Sequence, residues 1–325
     1  MRAIVCRALE GPDALELAEL RDPEPGACGV RIRVHAAGVN FADSLMLKGR
    51  YQEKPPLPFT PGLEVAGEIE AVGAGVRGLK IGQRVLAVVN HGGFAEKAVA
   101  RAEDVVPLPD SVDFVTAAGF AIAYGTAHGA LRWRAALHAG ETLLVHGAGG
   151  GVGLTAVECG KALGAKVIAT ARGPEKLAVA REHGADHVLD SETDDIKAKV
   201  RELTDGIGAD VVYDPVGGAV FDASLRAIAW EGRIVVIGFA SGEVPQIPAN
   251  ILLVKNAAVL GFYWGSYRKH DPERLREGFA ELFDWLENGR IRPHVSTTLP
   301  LERTADAIRL LASRQSVGKV VVTMT

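Results

Sequence analysis

The chain has 325 residues, more than one core usually organises, so two domains are expected. Hydrophobic content of 48% and charged content of 23% suit a soluble globular enzyme, and a net charge of −4 without any Lys/Arg-rich run argues against nucleic acid and acidic membrane surfaces as partners. No apolar stretch approaches membrane-spanning length, no signal peptide is evident, and three scattered cysteines, Cys6, Cys28 and Cys159, give no disulfide framework and point to a reducing cytoplasm.

From Met1 to about Val106 the chain reads as β-rich. Ala3 to Cys6, Gly29 to Ala36, Glu64 to Val72 and Arg84 to Val88 are short apolar or alternating runs separated by Gly and Pro clusters, the pattern of a partly open barrel or sandwich. Asn40 to Gly49 interrupts them as a short helix. Ser111 to Leu137, apolar with small residues at helical spacing, predicts two helices.

Thr142 to Lys176 follows and organises the rest. Thr142 to His146 has buried-strand length, Gly147 to Gly153 forces a tight turn, Leu154 to Leu163 keeps helical spacing, and Gly164 stands where a C-cap is expected. Lys166 to Thr170 closes a strand–helix–strand unit. Ala148, Gly150 and Gly153 fall on the spacing of a dinucleotide fingerprint with alanine in its first place, and Gly151 and Val152 lie between. Such a loop presents backbone N–H groups at a helix N-terminus to a pyrophosphate, and a Cβ would block its approach.

The end of the second strand bears on which dinucleotide binds. An acid there would take the ribose 2′-OH of NAD; this strand instead runs into Arg172, with Lys176 beyond. A guanidinium fork suits a 2′-phosphate, so the expected cofactor is NADPH.

Beyond it, strands and helices alternate. Asp186 to Asp190, Asp210 to Asp214, Arg233 to Gly238 and Ala257 to Phe262 read as strands; Glu175 to His183, Asp194 to Leu203 and Ala219 to Ala229 read as helices. Alternation of this kind gives a doubly wound parallel sheet, a Rossmann α/β fold. Arg274 to Asn288 and Arg303 to Ser313 are helical, and Lys319 to Thr323 is a last strand. The cofactor domain is therefore inserted: residues 1–122 form the first part of a catalytic domain, 123–263 the NADP-binding domain, and 264–325 the returning part.

With these elements in place, the chain resembles the medium-chain dehydrogenase/reductase superfamily, and within it the zinc-free quinone oxidoreductases of the zeta-crystallin type. The resemblance runs nearly end to end. It rests on Ala37 to Asp43, Pro61 to Gly67, Leu143 to Gly153 and Ile237 to Gly242. It implies that the β-rich part is a GroES-like domain and that the protein is a homodimer joined through the strand at 256–263, with Val259 and Phe262 near the axis.

Zinc-dependent members carry a cysteine where this chain has Asn40 and a histidine where it has Leu63, so two of three expected ligands are replaced and no metal is expected. The histidines His91, His128 and His146 read as turn or core residues. In similar reductases the segment matching Asn40 to Tyr51 lines the substrate cleft. Asn40 then offers its amide to a substrate oxygen, and Asp43 either orients that amide or caps the helix. Tyr51 resembles a proton-donating tyrosine of zinc-free enoyl thioester reductases, or else forms a cleft wall. Thr126 matches a position on the nicotinamide side, and Phe239, Ala240 and Ser241 follow the fifth strand, where ligands cross the carboxyl edge of such a sheet. Lys319 is similar to a basic residue near the cofactor, or else is a solvated strand-end cation.

The function expected is hydride transfer from NADPH to a small molecule, a quinone or an α,β-unsaturated carbonyl. The alternatives are an acryloyl- or enoyl-thioester reductase, for which no cationic groove stands out, and a non-catalytic NADPH-binding protein.

Overall fold

Short apolar runs become strands throughout, and the burial along each tells which body it serves. The structure, a computed structural model, describes residues 1–324. It divides into two units, the first comprising Met1–Ile122 and the chain from Pro293 onward, the second Ala123–Arg292.

The first unit is β-rich. Its strands before the crossing are β1 (Arg2–Cys6), β2 (Leu15–Glu19), β3 (Gly29–Val39), β4 (Glu64–Val72), β5 (Arg84–Val88), β6 (Lys97–Arg101) and β7 (Val105–Pro107). The short helix α1 (Phe41–Met46) leaves the end of β3, and α2 (Phe114–Ala118) precedes α3 (Ala121–Gly129), in which the division between units falls. After the return come β14 (Val295–Pro300), α11 (Thr304–Ala312) and β15 (Lys319–Thr323).

One sheet runs β14-β15-β3-β4-β5-β7, with β6 also paired to β3; β1 and β2 form a separate pair. Along β3 the side chains of Ile32 and Val34 are buried while Arg33 faces solvent, the alternation of a half-covered antiparallel strand. The core gathers Ile32, Ile69, Val85, Phe94, Ile308 and Val320. β15 antiparallel to β3 sets Val321 opposite Gly38 and Val320 opposite Val39. The start of β15 therefore lies beside the start of α1.

The second unit is a parallel sheet with helices. In chain order its elements are β8 (Thr142–Val145), α4 (Gly151–Ala162), β9 (Lys166–Ala171), α5 (Pro174–Glu182), β10 (His187–Asp190), α6 (Ile196–Leu203), β11 (Ala209–Asp214), α7 (Ala219–Ala227), β12 (Ile228–Val236), α8 (Ala249–Lys255), β13 (Ala258–Gly261), α9 (Tyr267–His270) and α10 (Pro272–Glu287). Among the described residues this sheet has six strands in the order β10-β9-β8-β11-β12-β13, all parallel. Leu143, Val145, Val211, Val212 and Val235 are buried, as near-continuous apolar runs covered on both faces require. The strand order reverses between β8 and β11, where ligands cross the carboxyl edge of such sheets.

Three expectations need correction. The second unit does not end near 263: α10 turns Leu275, Phe279, Leu282 and Trp285 inward, and the return comes at Pro293. Strand β12 begins at Ile228 rather than Arg233, because Ile228 pairs with Ala209 ahead of an irregularity where Glu231 takes φ 59°. Phe262 is buried just past the edge strand β13, its ring 5.5 Å from Tyr267 and 6.5 Å from Trp133, so it is filled in from within the chain. No helix among the described residues is long and apolar enough to cross a membrane.

Candidate active site

In the second unit the glycine turn behaves as the sequence spacing predicts. Gly147 takes φ 61°, which a side chain rarely adopts. Ala148, fully buried, donates its N–H to Thr170 O at 2.9 Å and ties the loop to β9. Gly150 is the N-cap of α4, and the first intrahelical bond runs from Leu154 N–H to Gly150 O at 2.8 Å. The N–H groups of Gly151, Val152 and Gly153 precede that bond and point out of the helix end.

The two fingerprint glycines serve different purposes. A Cβ on Gly153 would lie 2.1 Å from Gly147 O, so that glycine lets helix and strand pack. A Cβ on Gly150 would meet Gly147 O at 3.4 Å, an ordinary contact. Packing does not demand glycine there; what it keeps open is the approach to the helix N-terminus. That cradle fits a pyrophosphate.

Beyond β9, the stem of Lys176 lies across Gly149: a Cβ on Gly149 would sit 2.5 Å from that of Lys176. Arg172 is more than half exposed and its Nε is 2.8 Å from Glu192 Oε1. No acid stands at the end of β9 in the sequence; in the fold Glu192, beyond β10, brings one beside Arg172. Exposed pairs of this kind contribute only about 0–1 kcal/mol, so a dianionic phosphate can displace it.

At the carboxyl edge, the loops after β11 and β12 are bonded together. Ala240 N–H donates to Pro215 O at 3.0 Å and Ser241 N–H to Val216 O at 2.9 Å. Asp214 holds the first of these loops, its Oδ1 accepting from Val216 N–H at 2.8 Å and Gly217 N–H at 2.9 Å. Phe239 is 38% exposed within the second. Thr126 is buried in α3. His146 is a core residue, with Nδ1 2.8 Å from Thr170 Oγ1 and Nε2 2.6 Å from Ser224 Oγ. Burial pushes its pKa down.

In the first unit, four polar residues from distant segments meet. Asn40 follows β3 and caps α1, Asp43 lies in the first turn, Glu64 starts β4 and Lys319 starts β15. All four are buried. Lys319 Nζ donates to Glu64 Oε1 at 2.8 Å, Asn40 Oδ1 at 2.9 Å and Val39 O at 3.1 Å. Asn40 Nδ2 donates to Glu64 Oε1 at 2.9 Å, and Ile122 N–H to Glu64 Oε2 at 2.8 Å.

Asp43 takes the backbone N–H of Asn40 on Oδ2 at 2.7 Å, so it caps the helix and leaves the amide to other residues. Burial, only partly offset by the Asn40 N–H and the Lys319 charge, pushes its carboxyl up to about 7. Lys319 is not a solvated strand-end cation. Tyr51 follows α1 at a bend, half-buried, its ring against the unit's core. Leu63 is buried and apolar.

Glu64 stands out in sequence only as part of the Pro61 to Gly67 motif, and Glu158 in the second unit was missed altogether. Glu158, 3% exposed, accepts Arg292 N–H at 2.9 Å and the Tyr124 hydroxyl, and lies 2.8 Å from His183 Nδ1. The one signal for it is a carboxylate in the middle of a helix whose only other charged residue, Lys161, lies in the last turn. Among the described residues no group of three or more His, Cys, Asp or Glu side chains is placed to hold a metal.

Comparison with known proteins places these features in a family. Residues 26–110 match the family model of the alcohol dehydrogenase GroES-like domain, and residues 151–287 that of the zinc-binding dehydrogenases. The quinone oxidoreductase-like protein 2 homolog of Nematostella vectensis is 45% identical over 99% of this chain and 88% of its own length. The quinone oxidoreductase of Pseudomonas syringae pv. Tomato DC3000 superposes with a TM-score of 0.93 at 36% identity, covering 99% of both chains. That of Escherichia coli, solved with NADPH, superposes with a TM-score of 0.94 at 30% identity, covering 99% of this chain and 100% of that one.

Proposed function

Because this chain belongs to the quinone oxidoreductase family of the medium-chain dehydrogenase/reductases, we propose that it is an NADPH-dependent reductase acting on a quinone or an α,β-unsaturated carbonyl without zinc. The observation that carries this reading is the open α4 N-terminus with cations, not an acid, directly past β9. The NADPH complex of the Escherichia coli relative supports it.

When bound, the nicotinamide supplies the hydride. The chain supplies grip and polarity. Gly151, Val152 and Gly153 hold the pyrophosphate on backbone N–H groups, at the opening that Gly150 keeps clear while its own N–H goes to Gly147 O. Arg172 and Lys176 take the 2′-phosphate, Arg172 by exchanging Glu192 for it. Thr126, Phe239, Ala240 and Ser241 bound the nicotinamide side. Asn40 meets the substrate oxygen with an amide hydrogen, and Tyr51 returns a proton to the reduced product. Asn40 and the apolar Leu63, standing where zinc enzymes carry ligands, support the metal-free reading.

The protein works as a homodimer in a reducing cytoplasm; Cys6, Cys28 and Cys159 are unbridged, in keeping with that compartment. The test is NADPH oxidation measured over a panel of quinones, alkenals and acyl thioesters. Turnover is expected with quinones or alkenals. Tight NADPH binding without oxidation by any of them would instead mark a non-catalytic NADPH-binding protein.

A further inference from the structure

Asn40 sits between two groups of opposite character. Lys319 has three donors and no acceptor; the ionised Glu64 carboxylate has acceptors only. An amide between them has one satisfactory orientation: Oδ1 toward Lys319 at 2.9 Å, Nδ2 toward Glu64 Oε1 at 2.9 Å. Gly38 allows this close meeting, since a Cβ there would lie 2.3 Å from Glu64 Oε1 and 2.1 Å from Ala118 O.

The two amide hydrogens are then unequal. One is held by Glu64; the other reaches Gly38 O at 3.4 Å, beyond the usual range. A substrate oxygen can take that second hydrogen at little cost. The Lys319 ammonium, for its part, has spent all three hydrogens on Glu64, Asn40 and Val39, which leaves none for a cofactor phosphate.

We infer that Lys319 is a positioning residue for Asn40, fixing the amide so that one Nδ2 hydrogen is offered to the substrate oxygen, with Glu64 as the counter-ion that makes a buried ammonium tolerable. The inference rests on the proposed contact between Asn40 and that oxygen. Taking Oδ1 stops the amide from turning over and draws electron density from its nitrogen, which strengthens the remaining donor. Removing Lys319 alone would strand the Glu64 charge, so the useful variant removes both charges.

The experiment compares Lys319→Met/Glu64→Gln with wild type, alone and in an Asn40→Ala background, using NADPH and the best quinone from the panel. Expected is a tenfold or greater fall in kcat/KM carried by kcat, with the NADPH Kd within twofold of wild type. In the Asn40→Ala background the same pair of changes should cost less than twofold, because no amide remains to be aimed. Lys319→Arg is the second route if the pair does not fold: it keeps the charge but replaces the three-way ammonium with a planar fork, and the same kcat-borne loss is expected. A tenfold weaker NADPH Kd with kcat retained would return Lys319 to a cofactor contact and overturn the inference. So would an undiminished tenfold cost in the Asn40→Ala background, which would mark a merely structural role. If Asn40→Ala itself leaves kcat/KM unchanged, the substrate contact falls and takes this inference with it; that result is distinct from the other two.

Discussion

The backbone N–H of Arg292 donates to Glu158 Oε1 at 2.9 Å, joining the last residue of the second unit to the helix that begins at the glycine turn. Tyr124, the second residue of that unit, gives its hydroxyl to the other carboxylate oxygen, and Thr155, one turn nearer the glycines, gives its hydroxyl to Ala123 O at 3.1 Å. Helix α4 therefore holds both ends of its unit. Glu158→Ala removes the acceptor shared by the buried Tyr124 hydroxyl and by His183 and Arg292, whose bonds to it are part-buried; a buried donor left without its acceptor costs about 1–3 kcal/mol, a part-buried one less. The variant should lose about 3–5 kcal/mol of stability in urea unfolding, whereas Glu158→Gln, which keeps an oxygen for Arg292, should lose less than half of that. Equal losses would mean that the carboxylate only fills space.

Arg172→Ala should weaken NADPH by about 1.5–3 kcal/mol, the range for a hydrogen bond to a charged group, and leave NADH nearly unchanged. The pairing with Glu192 adds a second expectation. Glu192→Gln removes both a competitor for Arg172 and a negative charge facing the 2′-phosphate, so it should tighten NADPH while sparing NADH. Titrating both cofactors against both variants by fluorescence decides it; equal losses for the two cofactors in Arg172→Ala would refute the 2′-phosphate role.

Asp43 makes stability depend on pH in a defined direction. Its folded-state pKa, about 7, lies above the ordinary carboxylate value of 3.8. The folded chain thus binds this proton more tightly than the unfolded chain, and the contribution is fully present below about pH 4 and lost as pH rises toward 7. Asp43→Asn keeps an oxygen for Asn40 N–H and cannot ionise. The fall in thermal midpoint between pH 5 and pH 8 should therefore be smaller in Asp43→Asn than in wild type. An identical fall would show that Asp43 is ionised throughout.

The local parts of this protein were readable in sequence, and the long-range ones were not. Thr142 to Thr170 declares itself because strand, turn, helix and strand each bury a pattern set within a few neighbours, and Gly153 is required by the Gly147 carbonyl six positions earlier. Lys319 and Asn40 meet across 279 positions. A lysine after a glycine at a strand start looks the same in sequence whether it faces solvent or a buried carboxylate, so its burial could not be read. Strand β14 escaped notice because it alternates half-buried and exposed residues without a strong apolar run. The amphipathic α10 showed that it packs, but not against which body. Glu192 was invisible as a partner of Arg172 because only the parallel pairing of β9 with β10 brings their ends together.

Activity should survive exhaustive chelation. Asn40 is engaged with Lys319 and Glu64, Leu63 offers no donor, and a catalytic zinc needs three protein ligands. Elemental analysis before and after dialysis against a strong chelator, with turnover measured on both samples, checks this. One tightly held zinc per chain, with activity lost on its removal, would overturn the metal-free reading.

The last prediction concerns assembly. Strand β13 is paired on one side with β12 and ends the sheet. Its Val259 is half-buried, and the preceding helix α8 buries none of its residues, leaving Leu253 and Val254 each 78% exposed. An apolar edge beside bare aliphatic side chains invites pairing or aggregation unless another surface covers it. A second copy of the chain related by a two-fold axis would cover both at once, since strand and helix would each meet their own copies across the axis. Phe262 is not part of that surface, because Trp133 and Tyr267 enclose it. We therefore expect a homodimer of twice 34.3 kDa centred on Val259. Val259→Lys should yield monomers or aggregates, Leu253→Glu/Val254→Glu should weaken the dimer, and Phe262→Ala should destabilise the fold by about 3–5 kcal/mol without specifically dissociating it. Light scattering at micromolar concentration reads all three, and a monomeric wild type would sink the proposal.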